Sequence, residues 1–131
     1  MKCVLIVDDE YDLLHTVRAA LELNGYEAVC AGNGRDALNI VRERRPDMVL
    51  TDVMMPHLNG YDLVRAIRKL PDGKEVPTAL MSSIDPALHP SQGQWNAVLA
   101  KPFTLDKLLN VVSDLIGSAG PDPTGVPEPD R

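Results

Sequence analysis

Along the chain, short apolar runs alternate with longer stretches whose apolar residues recur every three or four positions. Cys3–Val7 is an unbroken apolar run ended by Asp8, the pattern of a strand buried on both faces. Over residues 10–23, Leu13, Leu14, Val17, Ala20 and Leu21 share one side of a helix, and Asn24-Gly25 supplies its stop. Residues 26–30 predict a second strand. Ala37, Leu38 and Val41 predict a second helix, closed by Pro46. Residues 47–51, carrying Met48, Val49 and Leu50, repeat the buried-strand pattern. After a loop over 52–58, Asn59 can cap a helix with Leu63, Val64 and Ile67 on its inner face, and Pro71-Asp72-Gly73 ends it. Residues 76–81 and Ala97–Ala100 predict two more strands. Thr104 can cap a last helix carrying Leu105, Leu108, Leu109, Val112 and Ile116 inward.

Strands alternating with helices in this way predict an α/β domain: a five-stranded parallel sheet with right-handed crossovers and helices on both faces. The fourth crossover, 83–96, breaks the rhythm, because it contains Pro86, Pro90 and Gly93. Proline inside a helix costs about 3 kcal/mol, so any helix here is expected to be short, broken or absent. From Gly117 to Arg131 there are four prolines and three glycines, and only Ala119 and Val126 are apolar. Such a stretch buries too little to offset its ordering entropy. The expectation is one domain over 1–116, followed by a disordered tail or linker stub over 117–131.

Composition narrows the class. The 131 residues suit one domain, and 44% hydrophobic with 24% charged is globular usage. A net charge of −6 argues against gripping nucleic acid or anionic lipid through bulk charge. No apolar stretch reaches membrane-spanning length and no secretory leader is visible, which places the chain in the cytoplasm without membrane insertion. Cys3 and Cys30 fit no metal-ligand spacing and fall at opposite ends of neighbouring strands, so they read as small apolar residues.

In a parallel α/β sheet, functional groups gather beyond the carboxyl ends of the strands. Here those ends carry Asp8-Asp9, Asp52, Ser82-Ser83 and Lys101. Carboxylates brought together repel unless a cation is present, and oxygen-only ligands favour a hard divalent ion such as Mg²⁺. Beside a lysine and a hydroxyl, such a cluster suits phosphoryl transfer, with one aspartate able to form an acyl phosphate.

These residues carry a resemblance. Val7-Asp8-Asp9-Glu10, then Asp52-Val53-Met54-Met55-Pro56 with Gly60, then Ser82-Ser83, then Lys101-Pro102-Phe103, in that order at alternating strand ends, resemble the CheY-like receiver domain of two-component response regulators. The resemblance covers about 2–116 and implies a three-layer (βα)5, flavodoxin-like fold of strand order 2-1-3-4-5. It implies that Asp52 accepts a phosphoryl group from a sensor histidine kinase or histidine phosphotransfer protein. Asp8, Asp9, Asp52 and the backbone carbonyl of Met54 would hold Mg²⁺, with Asp8 acting through water. Ser82 would be the switch hydroxyl, and Lys101 would contact the phosphoryl group, its bond to Pro102 being cis. The output would be a changed binding surface for a downstream protein, from a regulatory domain rather than an enzyme, assisting only its own phosphorylation and dephosphorylation.

The chain departs from the family where an aromatic commonly stands three residues before the lysine; Val98 is there, and Trp95 is nearest. Trp95 either takes over that coupling from another angle or covers the sheet edge. Met54 and Ile84, two residues beyond Asp52 and Ser82, offer no hydrogen bond to a hydrolytic water, so a long-lived phosphorylated form is expected. Two other readings fit the same residues. One is an aspartate-nucleophile phosphatase or phosphotransferase using Asp8 with Glu10 as acid; the other is a pseudo-receiver that acts without phosphorylation. His15, His57 and His89 lack partners at catalytic or ligand spacing and read as surface or loop residues, and Asn33-Gly34 reads as a turn. Arg42, Arg44 and Arg45 read as a solvated face at a helix end.

Overall fold

The computed structural model describes residues 1–89 and 94–117. In chain order it contains β1 (Cys3–Val7), α1 (Tyr11–Leu23), β2 (Glu27–Ala31), α2 (Gly34–Arg44), β3 (Met48–Asp52), α3 (Gly60–Arg68), β4 (Thr78–Ser82), β5 (Ala97–Ala100) and α4 (Leu105–Ile116). The strands are all parallel and ordered β2-β1-β3-β4-β5, with Leu5 opposite both Val29 and Val49.

Alternation along the strands divides the core into two layers. Val4, Ile6, Met48, Leu50, Ala79 and Met81 face α1 and α4, where Leu14, Val17, Leu21, Leu108 and Val112 meet them. Leu5, Val7 and Val49 face α2 and α3, against Ala37, Val41, Leu63 and Ile67. Each of the Val, Leu, Ile and Met side chains among these, fully buried, contributes roughly 1.5–3 kcal/mol, and the alanines less. The predicted caps are present: Asn59 Oδ1 accepts from Asp62 N–H at 2.9 Å, and Thr104 Oγ1 from Lys107 N–H at 3.2 Å.

Some expectations need correction. β2, β3 and β4 each end one residue later than the apolar runs. Asp52 pairs with Met81 and Ser82 with Ala100, so both are the last residues of their strands. Asn33-Gly34 is a helix start, not a free turn: Asn33 Oδ1 accepts from Asp36 N–H at 2.8 Å and Gly34 opens α2. Leu105, expected to point inward, is 51% exposed, and the buried face of α4 is carried by Leu108 and Val112. The fourth crossover bears out its prolines, with a single 3-10 turn, Pro86–Leu88, as the only helical element among its described residues. Gly117 caps α4, and the expected tail from 118 on lies outside the described residues. Cys3 and Cys30 are both free, and burial pushes both thiols up. Among the described residues, no helix is long and apolar enough to cross a membrane.

Arg68 was invisible as a fixture in the sequence. Its guanidinium donates to the carbonyls of Gly73, Val76 and Gln94, to Thr78 Oγ1 and to Asn96 Oδ1, tying the end of α3 to the starts of β4 and β5.

Candidate functional site

The strand ends bring Asp8, Asp9, Asp52 and Lys101 together. One carboxylate oxygen from each aspartate lies within 4.8 Å of the other two. Lys101 Nζ sits 2.9 Å from Asp8 Oδ2 and 3.1 Å from Asp52 Oδ1. Asp8 is deepest, its side chain 1% exposed, and its Oδ1 accepts from Glu10 N–H at 2.8 Å, which fixes the entry to α1. The Asp52 side chain is 11% exposed, and Asp9 lies open to solvent. The Lys101–Pro102 bond is cis, as expected.

Asp52 is placed by a close approach of backbone on backbone. Gly60 N–H donates to Val53 O at 2.9 Å. A Cβ on Gly60 would lie 2.3 Å from Asp52 O, so only glycine lets α3 start this near the strand end. Thr51 Oγ1 donates to the same Asp52 carbonyl at 2.9 Å.

The electrostatics follow from burial and like charge. Desolvation first, then the neighbouring Asp8 charge, raise the Asp52 pKa against the lowering effect of Lys101. Burial would lower the Lys101 pKa, but its hydrogen bonds to Asp8 and Asp52 and their charges outweigh this and raise it. The site therefore holds more negative charge than its lysine neutralises. The donor set is all oxygen, anionic and preassembled, which fits a hard divalent cation.

Stability should record this. A carboxyl whose folded-state pKa is raised stabilises the fold at low pH, and that contribution is lost as pH rises through the folded pKa. Asp52→Asn is thus expected to raise the melting temperature at neutral pH in metal-free buffer, by about 1 kcal/mol or roughly 4 °C. The gain should vanish under acid conditions, where Asp52 is protonated anyway. Differential scanning calorimetry across the pH range checks both the sign and the trend.

Ser82 is 2% exposed and at the expected strand end, but its hydroxyl is turned to the following loop. It accepts from Ile84 N–H at 3.0 Å and donates to Ile84 O at 3.3 Å. Met54 is 71% exposed and Ile84 37%, so both border solvent.

A family model for the response regulator receiver domain matches residues 4–113. The chain belongs to the response regulator receiver family. The response regulator MprA of Mycolicibacterium vanbaalenii is 34% identical over 122 residues, 91% of this chain and 52% of the relative. The transcriptional regulatory protein PrrA of Mycobacterium tuberculosis is 34% identical over 128 residues, 95% of this chain and 54% of the relative. The chain thus spans about half the length of the curated relatives it matches. Among solved structures, the chemotaxis protein CheY4 of Vibrio cholerae superposes with a TM-score of 0.80 at 30% identity, covering 88% of this chain and 98% of that one. The receiver domain of a sensor histidine kinase from Pseudomonas aeruginosa, with a magnesium ion coordinated in its active site cleft, gives 0.79 at 30% identity, covering 89% and 98%. This receiver is a regulatory module of two-component phosphorelay signalling.

Proposed function

We propose that Asp52 is the phospho-acceptor of this receiver and that a sensor histidine kinase or histidine phosphotransfer protein is the donor. The observation that carries this is the placement of Lys101 Nζ within hydrogen-bonding distance of both Asp8 and Asp52, beside Asp9. An Asp52 carboxylate oxygen attacks phosphorus, the bond from phosphorus to the donor's imidazole nitrogen breaks, and an acyl phosphate forms on Asp52. Lys101 stabilises charge on a phosphoryl oxygen, and Ser82 can offer its hydroxyl to another. Asp8, Asp9, Asp52 and the Met54 carbonyl would hold Mg²⁺, which when bound neutralises charge between the carboxylates and the phosphoryl oxygens. The added negative charge then biases the loops around the site between two arrangements, and a downstream protein reads the altered surface.

Exposure favours Asp52 over Asp8 as nucleophile. Both Asp8 oxygens are engaged and its side chain is 1% exposed, against 11% for Asp52. This weighs against the phosphatase reading. The role is that of a cytoplasmic regulatory domain that promotes only its own phosphorylation and dephosphorylation, without contacting nucleic acid itself.

Intact-mass measurement after incubation with Mg²⁺ and acetyl phosphate tests the assignment. One phosphoryl group is expected on the wild type and none on Asp52→Asn. An adduct that survives Asp52→Asn and disappears with Asp8→Asn would reverse it. Loss of the phosphoryl group should also be slow. Met54→Asn, which supplies a hydrogen-bonding group beside the hydrolytic water, is expected to shorten the half-life several-fold, followed by the decay of the adduct mass.

A further inference from the structure

Three aromatic rings close the far side of the fourth crossover. The Tyr61 hydroxyl, on the first turn of α3, is hydrogen-bonded to His89 Nδ1 at 2.5 Å. Trp95, the chain's single tryptophan, packs on both, with ring centroids 5.1 Å from Tyr61 and 6.3 Å from His89. Tyr61 and Trp95, together with Val98, pack on an apolar cluster of Val53, Val64 and Leu80, whose Val53 follows Asp52 directly. Trp95 thus packs on the same cluster as Val98, the position where the family commonly has an aromatic.

The segment from Ser82 to His89 is consequently fastened at both ends. At one end Ser82 Oγ holds the backbone of Ile84. Between them, Asp85 Oδ1 accepts from Ala87 N–H at 2.9 Å and Asp85 O from Leu88 N–H at 2.9 Å, making one stiff turn. At the other end is the Tyr61–His89 bond, and Tyr61 directly follows Gly60, which rests on the Asp52 carbonyl.

This lock is weakly set. Burial raises the Tyr61 pKa, so the phenol keeps its proton while bonded to the His89 ring. His89 Nε2 is buried without a hydrogen-bond partner among the described residues. An unpaired buried ring nitrogen, donor or acceptor, offsets much of what the Tyr61 bond contributes. Leaving Tyr61 would return Nε2 to water.

We propose that Tyr61 and His89 are positioning residues that hold Ser82 away from the phosphoryl site, and that phosphorylation of Asp52 and release of His89 from Tyr61 are coupled. The idea rests on Asp52 being the phospho-acceptor. Ser82 has one proton to donate. Giving it to a phosphoryl oxygen means giving up the Ile84 carbonyl, which loosens the stiff segment ending at His89. Coupling is reciprocal, so weakening the Tyr61–His89 bond favours the arrangement that accepts phosphate.

The test follows acetyl phosphate with Mg²⁺ by intact mass and by Trp95 fluorescence on the same samples. In wild type, adduct formation should be accompanied by a shift in Trp95 emission. Tyr61→Phe, which keeps the ring and removes the hydroxyl, and His89→Leu should phosphorylate several-fold faster. Both should begin with emission already displaced toward the phosphorylated value. Ser82→Ala should abolish the emission change on phosphorylation. A loss of packing alone would slow both variants rather than speed them. An adduct on wild type with unchanged Trp95 emission, or wild-type rates in both variants, would overturn the coupling while leaving Asp52 in place. No adduct on wild type would overturn both.

Discussion

Lys101→Met should cost the fold about 3 kcal/mol in metal-free buffer at neutral pH. The substitution keeps most of the side-chain volume, so the loss reports charge and not packing. It leaves Asp8, 1% exposed, and Asp52, 11% exposed, facing each other without the ammonium that now sits 2.9 and 3.1 Å from them. Breaking a buried pair from one side is expensive because the remaining charge stays desolvated. Two dependencies identify the cause. Mg²⁺ should restore much of the loss, since a cation among the three carboxylates replaces the missing charge. Mild acid should also shrink it, because Asp52, whose pKa burial and Asp8 already raise, takes up a proton. The contribution of Lys101 itself is complete below the usual lysine pKa and is lost only as pH rises through its raised folded-state value, so it does not vary over the neutral range. Urea denaturation with and without Mg²⁺ at two pH values measures all three. A loss independent of metal and pH would show that Lys101 acts through packing. Phosphorylation by acetyl phosphate should be strongly reduced whichever stability result is found.

Gly60→Ala has the second large effect, and its sign opposes helix propensity. In an exposed helix, alanine gains about 1 kcal/mol over glycine. At this position the added methyl would lie 2.3 Å from Asp52 O and 2.9 Å from the Val53 Cα, both backbone atoms that cannot rotate aside. The first turn of α3 must move, stretching the 2.9 Å Gly60–Val53 hydrogen bond, at a cost of about 3 kcal/mol. Because the clash is with the carbonyl of Asp52, the proposed phospho-acceptor, phosphorylation should slow together with the stability loss. Calorimetry and intact mass on the one variant give both numbers. An alanine variant as stable as wild type would refute the close approach.

How much of this could be read without the structure depends on the kind of interaction. The parallel sheet and its two-sided burial were written into local pattern. A run such as Cys3–Val7 has no solvent face, and stripes such as Leu63, Val64 and Ile67 have one inner face. The prolines of 83–96 likewise announced a missing helix, because proline acts on the backbone where it stands. The site residues were legible for a related reason: each lies at or just beyond the end of a strand, and parallel topology sends all those ends to one edge.

Tertiary structure alone decided matters that depend on two distant segments meeting. Nothing near Arg68 in the sequence shows that Gln94 and Asn96 will receive its guanidinium. Gly60 stood out as a motif glycine, but its reason is the backbone of Asp52 across the turn. His89 read as a surface or loop residue, and nothing singled out Tyr61, until the fold brought their side chains together. The orientation of the Ser82 hydroxyl toward Ile84 depends on a rotamer, which no pattern of residue types encodes. The sequence by itself determined which groups reach the edge that carries the candidate site, since burial and strand direction are local. Only packing determined how they are restrained there, since restraint comes from contacts between segments far apart in the chain.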